Sequence, residues 1–207
     1  EYAISDDFTL GIGRSSFEKT YDGFLKYRFL HQTRGERAFP FTATGFASMS
    51  INTLKPVDPE QDVKFSSRLS YTYQVLLARK FNESFSVQLN PTLVHHNLVS
   101  TSEENNDIFA LGLGLRHKIT KRAAITFEYY HQFNNNTVDI NYNPLGIGFE
   151  VETGGHVFQL VFSNSRYMIE KGIITETSGN FFDGDIHFGF NISRVFQLKS
   201  NKEQATW

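Results

Sequence analysis

Histidine, serine and paired charges are the residue types in this chain that could do chemistry, and their spacing limits what that chemistry can be. The seven histidines are scattered. His95 and His96 are adjacent, so on an extended strand they face opposite sides and cannot chelate one ion together. His187 and Glu150 could meet across an interior, but no spacing fixes them as a pair. Scattered polar histidines, with no metal and no cofactor, are therefore the expectation. A lipid hydrolase would need a serine, a histidine and an orienting polar group. The stretch His95-His96-Asn97 and the many serines supply the types, but no nucleophile elbow selects a serine. There is no cysteine, which excludes disulfides, thiolate metal sites and cysteine nucleophiles. A non-enzymatic protein is expected.

Charge is the more informative constellation. Lys26, Arg28, Lys64, Arg68, Arg116 and Lys118 fall on the polar side of a two-residue alternation, as do Glu128, Glu150, Glu152, Asp185 and His187. If those polar faces line one interior, the charges must pair or stay wet, because isolated burial is costly. Two readings follow. Either they form a selectivity lining for ions or small polar solutes, or they form a ladder of ion pairs filling a closed interior.

The alternation itself runs through almost the whole chain. Ile186, Phe188, Phe190, Ile192, Phe196 and Leu198 oppose Asp185, His187, Gly189, Asn191, Ser193 and Gln197. Arg194 intrudes on the apolar face, where at a strand end it can snorkel to headgroups. Phe109, Leu111, Leu113 and Leu115 oppose Ala110, Gly112, Gly114 and Arg116. Leu145, Ile147, Phe149 and Val151 oppose Gly146, Gly148, Glu150 and Glu152. The same pattern appears at 8–13, 69–77, 85–93, 125–130 and 158–162, and less cleanly at 21–30 and 41–52. A soluble sheet would need a second layer over its apolar face, and the sequence offers almost no helix to provide one. A β-sandwich alternates in the same way. Turn lengths separate the two: connections mostly alternate short and long, as in up-and-down barrels of the bacterial outer membrane. The first pair fits poorly, since 33–39 is no shorter than 15–20.

The expected architecture is thus all-β: a single domain over 1–207, a transmembrane up-and-down antiparallel barrel of about twelve strands. Roughly eleven strand segments are visible, the first a stub at 1–4, and even strand numbers imply at least one missing N-terminal strand. Composition agrees. Of 207 residues, 40% are hydrophobic and 20% charged, with 21 Phe and 9 Tyr spread along the chain. No apolar run is long enough for a spanning helix. Phe65, Tyr71, Tyr73, Phe81, Phe109, Tyr129, Phe133 and Phe196 would form interfacial girdles. Net charge is −2 and no basic block exists, which argues against nucleic acid as a partner. Outer-membrane lipid is the expected surrounding, other envelope proteins remain open as partners, and oligomeric state is not legible.

The longest connection, 164–184, mixes Tyr167, Met168, Ile169, Ile173 and Ile174 with Arg166, Glu170, Lys171 and Glu176. A free outer loop would not need those apolar residues. They point to a short amphipathic turn that folds into the lumen or docks on a partner, or to a self-packed loop.

Three stretches carry a family resemblance: Gly13-Arg14-Ser15-Ser16-Phe17-Glu18-Lys19-Thr20-Tyr21-Asp22-Gly23-Phe24, Glu152-Thr153-Gly154-Gly155-His156-Val157-Phe158-Gln159-Leu160, and Asp183-Gly184-Asp185-Ile186-His187-Phe188-Gly189-Phe190-Asn191-Ile192-Ser193-Arg194-Val195-Phe196. With Asn164-Ser165-Arg166 and Met168-Ile169-Glu170-Lys171-Gly172, the chain resembles, over essentially its whole length, an outer-membrane β-barrel family of the Bacteroidota. The resemblance implies fold, location and further sequence before residue 1, and brings no catalytic residue. Three functions stay open: a passive or gated conduit for small polar solutes, an accessory barrel of a larger envelope complex, and an outer-membrane lipid hydrolase.

Overall fold

Segments that alternate apolar and polar residues bury or solvate one whole face at a time, and their backbone groups must pair with neighbouring strands. The computed structural model describes residues 1–35, 38–55, 64–99, 101–134 and 141–196. Its strands are β1 (Tyr2–Ala3), β2 (Phe8–Arg14), β3 (Thr20–Leu30), β4 (Thr42–Asn52), β5 (Leu69–Lys80) and β6 (Phe85–His96). They continue as β7 (Asp107–Lys118), β8 (Ala123–Gln132), β9 (Leu145–Thr153), β10 (His156–Ser163) and β11 (His187–Arg194). One α-helix, α1 (Glu170–Thr175), and a few single 3₁₀ turns complete the described elements. Among the described residues no helix is long and apolar enough to cross a membrane, which says nothing of strands.

All eleven strands form one antiparallel sheet in sequence order, each paired with the next. Among the described residues no second sheet is stacked on it. The sheet is not closed: β1 and β11 are its two edges. Contacts across the interior show that it curls into a barrel wall. Gln74 on β5 reaches Tyr130 on β8, and Arg116 on β7 reaches Glu150 on β9. Eleven strands paired in chain order are the meander of an up-and-down barrel.

The apolar residues point outward. Leu25, Met49, Tyr73, Leu111, Phe149 and Phe190 are exposed, while their chain neighbours Phe24, Ser50, Thr72 and Ala110 face the interior. Ile12 is 91% exposed: on one side the two-residue β1 pairs only as far as Leu10, and on the other Ile12 faces Gly23 of β3. Phe65, Phe109 and Phe133 are exposed at one end of the wall and Phe81 and Phe196 at the other, as girdles require. Arg194 also points outward, its guanidinium 4.7 Å from the Phe196 ring centroid.

The two untidy segments form β3 and β4, and their disorder of pattern has a cause. Phe24 and Phe46 turn inward, ring centroids 5.7 Å apart, and the register slips between Arg28 and Leu30. The last strand ends at Arg194, short of the Leu198 expected from the alternation, and Leu198 lies outside the described residues.

The turn asymmetry also holds with its one exception. Gly154 and Gly155 form a two-residue turn with φ of 55° and 88°, a backbone that favours glycine at both positions. The β10–β11 connection is far longer. The β3–β4 connection is a long one at the short-turn end. Gln32 stitches it to β5 through paired bonds with the Lys80 backbone, of 2.9 and 2.8 Å.

Candidate functional site

The inner wall is polar at mid-height. Gln74 donates to Thr92 Oγ1 at 3.1 Å and to the Tyr130 hydroxyl at 3.3 Å, and Asn90 donates to the same hydroxyl at 3.1 Å. Tyr130 can lie flat on the wall because Gly112 is its neighbour on β7. A Cβ at Gly112 would come within 2.4 Å of the Tyr130 ring.

Above this layer, at the long-loop end, the β10–β11 connection enters the lumen. Ser165, Arg166 and Tyr167 carry it inward, and α1 lies against β5 and β6. Ile174 is fully buried in a cluster with Val94, Ile108, Ala110 and Tyr130. Polar contacts hold the rest of the helix. His96 Nε2 and Thr175 Oγ1 are 3.0 Å apart, and His96 Nδ1 lies 3.2 Å from Ser70 Oγ. Asn141 donates to the Thr175 carbonyl, and the Tyr142 backbone donates to that of Thr177 at 2.7 Å. Asn164 clasps the base of the loop, accepting from Leu145 N and donating to the Gly179 carbonyl, each at 2.8 Å.

The opposite edge of this plug meets the turn between β2 and β3. Lys171 is buried, with its ammonium 3.8 Å from Glu18 and also paired with Glu176. The Tyr167 hydroxyl donates to Glu18 Oε1 at 3.2 Å. Burial, then the charges of Glu176 and Glu18, push the Tyr167 phenol far above its ordinary range, so it remains a donor. Burial likewise raises the Glu170 carboxyl. Glu18 and Lys19 have φ of 54° and 47°, left-handed backbone in two successive residues that are not glycine. Such strain costs about 1–3 kcal/mol per residue and persists only where contacts over-determine it.

The expected lumen charges divide into two groups. Lys26, Arg28, Arg116, Lys118, Glu128, Glu150, Glu152 and His187 all lie on inward-facing strand positions. Arg116 Nε donates to Glu150 at 2.8 Å, Gln159 donates to the other Glu150 oxygen at 2.8 Å, and Arg28 pairs with Asp7 at 2.9 Å. Lys26 lies 3.7 Å from Glu1, over the Phe24 ring.

Lys64, Arg68 and Asp185 are corrections. Lys64 is exposed in the β4–β5 loop, ahead of the strand it was expected to join. Arg68 sits in the 3₁₀ turn before β5 and donates to the Leu54 carbonyl at 2.8 Å, tying a loop at the rim. Asp185 precedes β11 and accepts from Asn180 N at 3.0 Å, closing a turn. In all three the alternation was extended past the last ladder pair, where side-chain direction no longer follows it. Glu150 and His187 do not meet: Glu150 is engaged by Arg116 and Gln159, whereas His187 accepts from Arg166 at 3.3 Å.

Of the loop residues, Tyr167, Ile173 and Ile174 turn toward the lumen, Ile169 begins the helix, and Arg166 and Met168 remain exposed. The described loop lays α1 against β5 and β6 and sets Ile174 among inward residues of β6, β7 and β8. Glu18 and Tyr130 matter to this site without a role read from the sequence, and His96 and Lys171 matter in roles other than those considered there. Tyr130 and His96 could have been found from their inward register. Glu18 gave no signal beyond lying in the 13–24 stretch that carries the family resemblance, since Tyr167 is 149 residues away.

His95 and His96 do face opposite sides: His95 bonds Asp107 on the outside at 2.7 Å. Among the described residues, no three His, Asp or Glu side chains gather as a metal ion would require.

A strand-only wall, apolar outside and polar within, defines the class: a membrane β-barrel domain. The chain belongs to the family described as a membrane-bound beta-barrel domain (DUF5777), which matches residues 1–196. No curated protein and no solved structure matches it.

Proposed function

We propose that this domain is a non-enzymatic barrel of a bacterial outer membrane, in the Bacteroidota by its sequence resemblance. It acts as a conduit for small polar solutes that its own β10–β11 loop holds closed at rest. One observation carries this reading: among the described residues the plug occupies only the long-loop end, and the wall beneath it carries charged side chains that stay partly exposed. The Arg116 and Glu150 side chains there keep 43% and 14% of their surface, and Arg28 and Asp7 keep 38% each. A barrel meant only to be solid has no need of charges that remain in water. Strand-only spanning, an outward apolar belt and long loops gathered mostly at one end support the outer membrane as the location.

The test is conductance in planar bilayers. Native protein should be silent or flicker rarely. Replacing 166–179 with a short Gly-Ser linker should produce discrete steps. Silence of both would overturn the conduit.

The second reading is an accessory barrel that presents its loops to other envelope proteins and to no nucleic acid. The completeness of the Ile174 seat favours it, since a gate need not be packed so well. Stoichiometric partners recovered in mild detergent, together with silent bilayers, would establish it.

A further inference from the structure

The plug is held in two unlike ways. On the β5–β8 side its contacts are apolar packing and neutral hydrogen bonds, the Ile174 cluster and the Thr175–His96 pair. On the β2–β3 side they converge on one carboxylate. Glu18 Oε1 accepts from Tyr167, while Oε2 faces Lys171 at 3.8 Å and Asn52 at 3.4 Å. Phe17, one residue earlier, meets the Tyr167 ring edge-on at 5.0 Å.

We propose that Glu18 is the catch of the plug: the β2–β3 turn presents its carboxylate to Tyr167 and Lys171, and losing those contacts frees the loop from the lumen. This deepens the gated reading above and rests on it.

Two features make the contact releasable. Lys171 also pairs with Glu176, which travels on the same loop, so leaving Glu18 does not strand a lone buried cation. The turn is strained at Glu18 and Lys19, so it gains by relaxing once its partners go. A seat that loses its charge partner without penalty, against a turn that prefers another conformation, is a two-state element. The far end of the turn stays anchored, because Thr53 Oγ1 donates to the Lys19 carbonyl at 2.5 Å. Motion is thereby confined to the Glu18 side.

The absence of cysteine gives a clean reporter. Ile174→Cys, buried in the plugged state, is reacted with a membrane-impermeant maleimide in lipid vesicles. Glu18→Gly removes the carboxylate while suiting the left-handed backbone, and Lys19→Gly relieves strain while keeping the carboxylate. Hydrogen bonds to a charged group are strong enough that Glu18→Gly should speed labelling about tenfold or more. Lys19→Gly should label at the parent rate or more slowly. A parent rate in Glu18→Gly, or equal acceleration in both variants, overturns the catch.

Heat-modifiable migration on gels verifies folding. If Glu18→Gly fails that check, Tyr167→Phe removes the donor instead, and the same two outcomes decide. The two readings fail separately. Faster labelling with bilayers that stay silent after loop removal sinks the conduit and keeps the catch. Unchanged labelling with a conducting loop deletion does the reverse.

Discussion

The two ends of the lumen share one wall and are filled in opposite ways. At the long-loop end, inward positions on β6, β7 and β8 meet an incoming helix, and Val94, Ile108 and Ala110 are apolar or small to receive it. At the short-turn end β7 presents Arg116 and Lys118 and β9 presents Glu150 and Glu152, and among the described residues no helix packs over them. A barrel wall therefore does not dictate whether its interior is dry or wet. The connections do: the β10–β11 loop brings Ile174 inside, whereas the β3–β4 connection, also long, is stitched by Gln32 to the Lys80 backbone.

The sharpest way to break this contrast is to empty the dry end. Ile174→Ala should weaken the seating of the plug by about 2–5 kcal/mol, the cost of a buried cavity. Hydrogen exchange across 170–177 should accelerate accordingly while the strand amides stay protected. Equal loss of protection along the strands would mean that plug and wall are one cooperative unit.

The outer face comes next. Leu111→Arg places a cation on the lipid side at the middle of β7, which should cost about 2–4 kcal/mol. Urea unfolding in lipid vesicles measures it, and a neutral result would undo the outward assignment.

A smaller effect separates neighbouring inward glycines on the same strand. Gly112→Ala drives a methyl into the Tyr130 ring and should cost about 1–3 kcal/mol. Gly114→Ala should be nearly neutral, since the closest atom to a Cβ there is 3.7 Å away. The same unfolding assay ranks the pair.

The smallest effect is expected at the wet end. Arg116→Ala leaves Glu150 still bonded to Gln159 and partly hydrated, so the loss should be about 1 kcal/mol or less and shrink with salt. A loss as large as that of Ile174→Ala would show that the lower lumen is drier than its exposure indicates.

Much of the fold was legible because it is local. The faces of β5 through β11 follow from parity along each segment, as do the opposed directions of His95 and His96. The rim residues Lys64, Arg68 and Asp185 misled for a related reason. Parity continues on paper beyond the ladder, while the chain itself turns to satisfy backbone groups. The apolar content of 164–184 announced that this loop would bury something, without saying where.

What the sequence by itself determined is the strand pattern and which side of each strand is greasy, because side-chain direction in extended backbone depends only on odd or even position. Where the long loop comes to rest was decided by tertiary structure alone. Its seat joins Thr175 to His96 across 79 residues and Tyr167 to Glu18 across 149. Contacts at such separation arise only once the sheet has curled and brought its distant strands around one interior.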